Sequence, residues 1–396
     1  MKLVRNLKLS LGVLAVASLA ACGGGGGGGA QTGTLKLAVT DAPACGYDSV
    51  NVTIEKVRVH QSSTASDTDS GWSEIVLNPA LKVDLLALQN GALAELGQVT
   101  LPAGSYNQMR LVLADNNGAS SPANWVKLTS NQSVVELKTP SGQQSGVKAK
   151  QFNIDIGVNQ LANFVIDFDA CKSVVIAGNS SQYLLKPQLT VIPRLVSGVA
   201  GFVAPALATT GFTNLSLQQG GVVVRATAPA IDGTFMLKPV APGNYTLVLT
   251  ARDRATSVVT NVVVAADTVT SVNTAGTALD PAVSATGALT GTATPAVEAL
   301  VPLVRVLQPL TAGPTIEVAS RFVDITTGNY GFGSLAVKAP LVAPYVALPG
   351  ALVFAPGMTV DGQYTLEASL TGFTTKTTVL TPLAVGATTT TNYTFP

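Results

Sequence analysis

One histidine, two tryptophans, three cysteines and a handful of aspartates are the residues whose types and spacing could do chemistry in this chain. His60 is the sole imidazole, which excludes zinc sites built from two or three histidines and leaves one base for any Ser-His-Asp arrangement. No G-x-S-x-G elbow accompanies it. It ends the run VTIEKVRVH on the even-numbered side, the place of a surface or edge residue, so no residue is assigned a catalytic role and a hydrolase is only the third reading. Trp72, beside Gly71 in a polar stretch, and Trp125, after Pro122-Ala123-Asn124, are the aromatic platforms that a glycan contact would use. Both would serve equally as partly buried anchors. Tyr106, Tyr245 and Tyr364 follow glycine turns and are expected to pack beneath sheets.

Lys2, Arg5 and Lys8 open the chain, and the apolar stretch Leu9 to Leu19 is long enough for an export signal and too short for a permanent membrane span. It ends in Leu19-Ala20-Ala21-Cys22, which resembles the bacterial lipobox. The resemblance implies removal of residues 1–21 and a diacylglyceryl group on Cys22, so that the mature chain is anchored to a membrane through lipid. An ordinary signal peptide with a chance cysteine is the alternative. Gly23 to Gly29 is an unbroken glycine run with neither the lysine nor the helix of a phosphate loop. As part of a tether over residues 22–33 it reaches roughly 20 Å. In lipoproteins an aspartate after the lipidated cysteine favours inner-membrane retention; the Gly23 found here implies the outer membrane of a Gram-negative cell.

With Cys22 given to lipid, Cys45 and Cys171 are left as a pair in a compartment that permits disulfides. Their bridge would close a loop of about 127 residues and contribute roughly 4 to 5 kcal/mol in the chain-entropy picture. Two free thiols are the alternative. A bridge would also bring Asp41 and Asp48 beside Asp167 and Asp169, four hard oxygen donors of the kind that calcium takes. Against calcium stand turn capping by Asp41 and Asp48 and pairing of Asp167 and Asp169 with Lys172. No other cofactor is expected.

The elements that must position these groups read as strands. Apolar residues alternate in Leu35, Leu37, Val39; in Val50, Val52, Ile54; in Met109, Leu111, Leu113; in Phe152, Ile154, Ile156; and in Phe164, Ile166, Phe168. Turn formers such as Asn90-Gly91 and Pro102-Ala103-Gly104 separate them. Residues 34–195 thus predict an antiparallel sandwich, with one or two short helical turns within Ala80 to Leu96. After Arg194 the composition shifts toward Val, Ala, Thr and Gly, and Ser197 to Gly201 and Ala288 to Thr292 each read as the first strand of a further domain, over 196–282 and 283–396. The motifs Gly243-Asn244-Tyr245-Thr246-Leu247 and Gly362-Gln363-Tyr364-Thr365-Leu366 mark a weak internal repeat. Thr388 to Phe395 suits a sheet edge and would also permit strand donation to another chain.

Across 396 residues a hydrophobic share of 47% supports well-filled cores, while charged residues make up only 11%. Removing the three signal-peptide cations from 23 leaves 20 against 22 acids, so nucleic acid, which needs a basic face, is excluded as a partner. Thr40-Asp41-Ala42-Pro43-Ala44, VTIEKVRVH (52–60), VDLLALQNG (83–91), LPAGSYNQMRLVL (101–113), Pro140 to Lys148, VIDFDA (165–170) and YLLKPQLTV (183–191) together resemble the bacterial domain of unknown function 4382 over 34–193. That family implies exported, lipoprotein-like proteins with no established activity. Residues 197–280 are similar to the carboxypeptidase regulatory-like, transthyretin-related sandwich, and 285–396 to a more divergent copy; such domains serve as spacers or adhesive modules, with carbohydrate-binding relatives. The expectation is a mainly β chain of tandem Ig- or transthyretin-like sandwiches behind a signal peptide and a glycine tether. Its function would be that of a membrane-anchored, non-enzymatic structural or binding module, with an envelope protein or polysaccharide as partner and a carbohydrate-binding surface protein as the alternative.

Overall fold

The computed structural model describes residues 31–41, 47–118, 122–139, 146–149, 152–177, 182–210, 212–295 and 300–396. The expected signal peptide, Cys22, the glycine run Gly23 to Gly29 and Cys45 lie outside them, whereas Thr32 and Gly33, expected to end the tether, already form the start of the first strand; of Cys171 only the backbone is described, within the short helix Ala170–Ser173. The protein is mainly β, with 55% of residues in strands and 4% in helix. Among the described residues no helix is long and apolar enough to cross a membrane.

The first unit packs two large sheets, with a small two-stranded one of Gly104–Tyr106 and Ile154–Ile156, around a core that runs from Leu35 to Leu189. In one sheet the strand Thr32–Asp41 lies between Leu161–Phe168, which it pairs in parallel, and Ala94–Pro102, which it pairs antiparallel; Leu189–Pro193 completes that sheet. The other is built around the long strand Tyr47–His60, flanked by Ser73–Asp84, Gln108–Leu113 and Trp125–Leu128. Alternation decides the faces: in Thr32–Asp41, Leu35, Leu37 and Val39 are fully buried while Thr34 and Lys36 are not. The sheets are mostly antiparallel, as the period-two pattern predicts, but the parallel pairing of Thr32–Asp41 with Leu161–Phe168 departs from it; the long connection between those strands makes it feasible. The helical turn within Ala80 to Leu96 is one 3₁₀ turn, Leu85–Leu88, in which Asp84 caps the Leu86 amide.

The second and third units share one topology, which gives the repeat motif its physical meaning. Each begins with the strand expected from sequence, Gly198–Phe202 and Thr286–Thr294, and each first strand sits between an antiparallel and a parallel neighbour. Facing it is a sheet in which the third, second, fifth and sixth strands lie side by side, from Val222–Thr227 to Ser257–Val264 in one unit and from Thr315–Phe322 to Lys376–Val379 in the other. Both glycine-tyrosine motifs open the fifth strand. Tyr245 and Tyr364 are 4% and 1% exposed, and their hydroxyls donate to the Ala241 and Ala336 carbonyls, so they pack in the core as expected. Burial raises the pKa of both phenols. Thr388–Thr390 lies at a sheet edge and pairs with its own chain along Ala288 to Thr290.

Two features were not legible in the sequence. The connection between the fourth and fifth strands of the third unit, residues 337–364, leaves its own sandwich: Leu341–Pro344 pairs in parallel with Ser257–Val264 and extends the sheet of the second unit. Leu310, Ile316, Ala339 and Met358 then close over Val248 and Val258 in an apolar seam between the two units. Secondly, tandem sandwiches behind a tether suggest units extending outward, whereas here each unit touches both others. The connections around Arg194 and between Leu279 and Thr286 are too short to hold the sandwiches apart, and Arg194 is pinned back onto Glu95 of the first unit at 2.6 Å.

Candidate functional site

Where the three units meet, isolated charges on otherwise apolar strands converge. Arg225 on Val222–Thr227 is only 3% exposed, and its Nη1 donates to Asp167 Oδ1 on Leu161–Phe168 at 2.6 Å. Its Nε and Nη2 are buried without hydrogen-bond partners among the described residues. Asp169 caps the helix Ala170–Ser173 by accepting from the Lys172 amide and holds the Lys172 ammonium at 3.2 Å. From the third unit Arg305 reaches Glu317 and Glu367, both at 2.7 Å, and donates to the Gly221 carbonyl of the second unit. The side chain of Gln218 exchanges two hydrogen bonds with the Glu317 backbone, donating at 2.7 Å and accepting at 2.9 Å. Asp167, Asp169, Lys172, Arg225, Arg305 and the two glutamates line an inter-unit cavity of about 540 Å³.

The electrostatics follow from burial. Burial raises the pKa of the Asp167 carboxyl, against the pull of Arg225, and the neighbouring Asp169 adds to the rise. Burial pulls Lys172 and Arg305 downward, but Asp169 and Glu317 outweigh it at Lys172, as Glu317 and Glu367 do at Arg305, and both cations end above their ordinary values. The turn Asn90-Gly91 docks the first unit onto the second nearby. Asn90 takes the left-handed φ of 55° that asparagine tolerates; its carboxamide accepts from the Met236 amide and its own amide donates to Thr227. The arrangement is a lock between domains, made of charge-assisted bonds in a low-dielectric seam.

The residues singled out by sequence lie as follows. Asp167 and Asp169 do come together, on the wall of the junction. Asp41 is buried and accepts from the Ala170 amide at 2.8 Å. Asp48 is exposed and holds Thr129 and Gln132, each at 2.7 Å, which lowers its pKa. The four carboxylates are not gathered at one point, and among the described residues no three Asp, Glu, His or Cys side chains group as metal ligands would. His60 receives the Ser62 amide on Nδ1 at 2.8 Å and lies 3.0 Å from the Ser70 carbonyl through Nε2, partners that require the neutral Nε2–H tautomer. Trp72 is half-buried: its indole N–H donates to the Ser66 carbonyl, and Arg58, Arg110 and His60 stand 4.5, 5.0 and 5.1 Å from its ring. Trp125 is the first residue of its strand, paired with Asn51 and Glu136. Sequence reasoning missed Arg225, Arg305 and Glu317, although the two arginines left a trace: a single charge inside an apolar strand, as in VVVRAT and LVRVLQP.

Fold and junction define a mainly β, multi-sandwich module with an ion pair buried between its first two units. Residues 32–187 match the family described as Domain of unknown function (DUF4382), so the first unit carries that domain, as the resemblance over 34–193 implied. No curated protein matches the chain. Solved structures similar to it include the Bacillus anthracis TIE protein, at 11% identity over 92% of this chain and 51% of that one, with a TM-score of 0.19. The Corynebacterium diphtheriae major pilin SpaA matches at 10% identity over 91% of this chain and 100% of that one, with a TM-score of 0.19. BcpA, the major pilin subunit of Bacillus cereus, matches at 11% identity over 92% and 99%, with a TM-score of 0.13. This chain spans about half the length of the Bacillus anthracis protein.

Proposed function

We propose that this chain is an exported lipoprotein of the cell envelope, held in the outer membrane by lipid on Cys22, which presents its first domain on a rigid base of two transthyretin-like sandwiches. It acts as a non-enzymatic structural or binding module. The observation that carries this reading is the junction: the Asp167–Arg225 pair fixes the first unit to the second, and Gln218 on the Glu317 backbone and Arg305 on the Gly221 carbonyl fix the second to the third. The placement of His60 supports it as well, since its two ring nitrogens are spent on the loop that it closes. Anchoring is tested by fractionation. The native chain is expected in the detergent phase and Cys22→Ala in the aqueous phase; equal partitioning would overturn the anchor.

The Cys45 to Cys171 bridge belongs to the same reading. Asp41 is in register with Phe168 and bonded to the Ala170 amide, while Tyr47 borders one cleft with Val174. The chain on both sides of residue 45 is therefore held beside the chain around residue 171, which supports a bond between them. Non-reducing peptide mapping of the exported protein is expected to recover the two cysteines as one linked peptide. Recovery of both as alkylated thiols would contradict it.

A further inference from the structure

A second cleft, of about 380 Å³, opens between the second and third units. Arg252 and Arg254 line it together with Phe212, Thr250, Thr256 and Ser334, and no acidic side chain does. Arg254 is fixed by Asp280 at 3.0 Å and by the Pro281 carbonyl at 2.8 Å. Arg252 makes no ion pair or side-chain hydrogen bond among the described residues. Its guanidinium lies 3.2 Å from the centroid of the Phe212 ring, an aromatic side chain left 38% exposed. An arginine stacked on a ring keeps its hydrogen-bonding edge free and loses little entropy on meeting a planar oxyanion.

Both walls carry backbone that needs a reason. Arg252 leads into a turn whose next residue, Asp253, has φ of 57°, and that turn is pinned where the Asp253 carbonyl accepts from the Ser284 amide at 2.9 Å. Opposite, the pairing of Thr286–Thr294 with Asn329–Ala336 slips between Gly287 and Leu289, which sets two residues, Gly333 and Ser334, against Ala288 alone. Ser334 is exposed with φ of 56°, a conformation that costs a residue with a side chain, and a Cβ on Gly333 would meet nothing. Such a bulge re-aims side chains and is common beside binding sites.

We propose that this cleft binds one anionic sugar unit of an acidic polysaccharide, its carboxylate on Arg252 and Arg254, its ring against Phe212 and its hydroxyls on Thr250 and Ser334. The volume is at the lower end of the range of ligand pockets and suits one or two sugar rings. A cationic cleft on a chain with slightly more acids than bases after export also selects anionic over neutral glycans. The inference rests on the binding part of the reading above and moves the glycan contact from the tryptophans of the first domain to the seam between the other two.

Titration of the mature chain with trigalacturonate and with neutral galactotriose tests it. Trigalacturonate is expected to bind, the neutral trisaccharide to bind at least tenfold more weakly, and Arg252→Gln to weaken trigalacturonate by roughly 10- to 100-fold with an unchanged melting temperature. Trp72→Ala should leave the affinity intact. Undiminished affinity in both Arg252→Gln and Phe212→Ala, with loss in Trp72→Ala, overturns the cleft while keeping a carbohydrate-binding protein. Failure of the native chain to bind trigalacturonate overturns the acidic-glycan proposal and leaves the anchored module to be judged by the Cys22→Ala fractionation. Inorganic phosphate that binds as tightly as the trisaccharide overturns the sugar assignment.

Discussion

Arg225→Met is expected to destabilise the protein by about 3 to 5 kcal/mol at neutral pH, because it leaves the Asp167 carboxylate in the seam without its partner. The partner lost stands at 2.6 Å, with side chains 3% and 16% exposed. The pH dependence has a defined sign. Burial already raises the Asp167 pKa in the folded chain above its unfolded value, and Arg225 is the main group opposing that rise. Removing the guanidinium raises the folded pKa further, so the folded state binds the proton more tightly than the unfolded one over a wider window. The penalty is therefore largest above the variant's raised folded pKa and shrinks as the pH falls from there toward the folded pKa of the native chain. Arg225→Met combined with Asp167→Leu should recover most of the loss and can exceed the native chain, since it also removes the two unpartnered guanidinium donors. Denaturant melts of the single and double variants at two pH values measure this. A loss in Arg225→Met that grows on acidification would contradict it.

Gly291→Val is expected to have an effect of similar size by a different route. A Cβ at residue 291 would overlap the Thr391 carbonyl oxygen and meet the Tyr330 hydroxyl at 2.8 Å. That hydroxyl donates to the same carbonyl at 2.6 Å, so the close approach of the two backbones is part of how the C-terminal strand is held. Backbone on backbone cannot yield as a flexible side chain would. Displacing the strand withdraws Tyr393 and Phe395, 5% and 3% exposed, from the core of the third unit. Losing such aromatic burial costs about 3 to 5 kcal/mol. Brief carboxypeptidase digestion followed by mass measurement should trim the variant and spare the native chain. A variant as resistant as the native chain would mean that Gly291 is not needed for the approach.

The strands of the first unit were legible because their faces differ: Leu35, Leu37 and Val39 alternate with Thr34, Lys36 and Ala38, and a period of two marks a strand with one face turned to the core. Ala38 is itself buried, as residues on a strand covered on both sides are. The repeat was legible for a similar reason, since a glycine followed by a tyrosine that must bury its ring and bond its hydroxyl is a strong local constraint. The junction was not. A lone arginine in VVVRAT fits an exposed edge as well as a buried pair, and only the partner strand, 58 residues earlier in the chain, decides between them. The run around Leu341 to Pro344 was equally silent, because its partner is a strand of another domain and periodicity says nothing about which sheet a strand joins. For the tryptophans, sequence supplied the residue type, but the ring of Trp72 lies amid Arg58, Arg110 and His60, whose convergence depends on the pairing of two strands far apart in the chain.

Small-angle scattering of residues 30–396 is the most direct measurement of whether the three domains are locked together. Domains that each touch both others predict a radius of gyration of roughly 21 to 25 Å, close to the scaling for a single compact chain of this length. A value of about 30 Å or more, the size of three sandwiches strung end to end, would contradict the lock and return the chain to a flexible spacer.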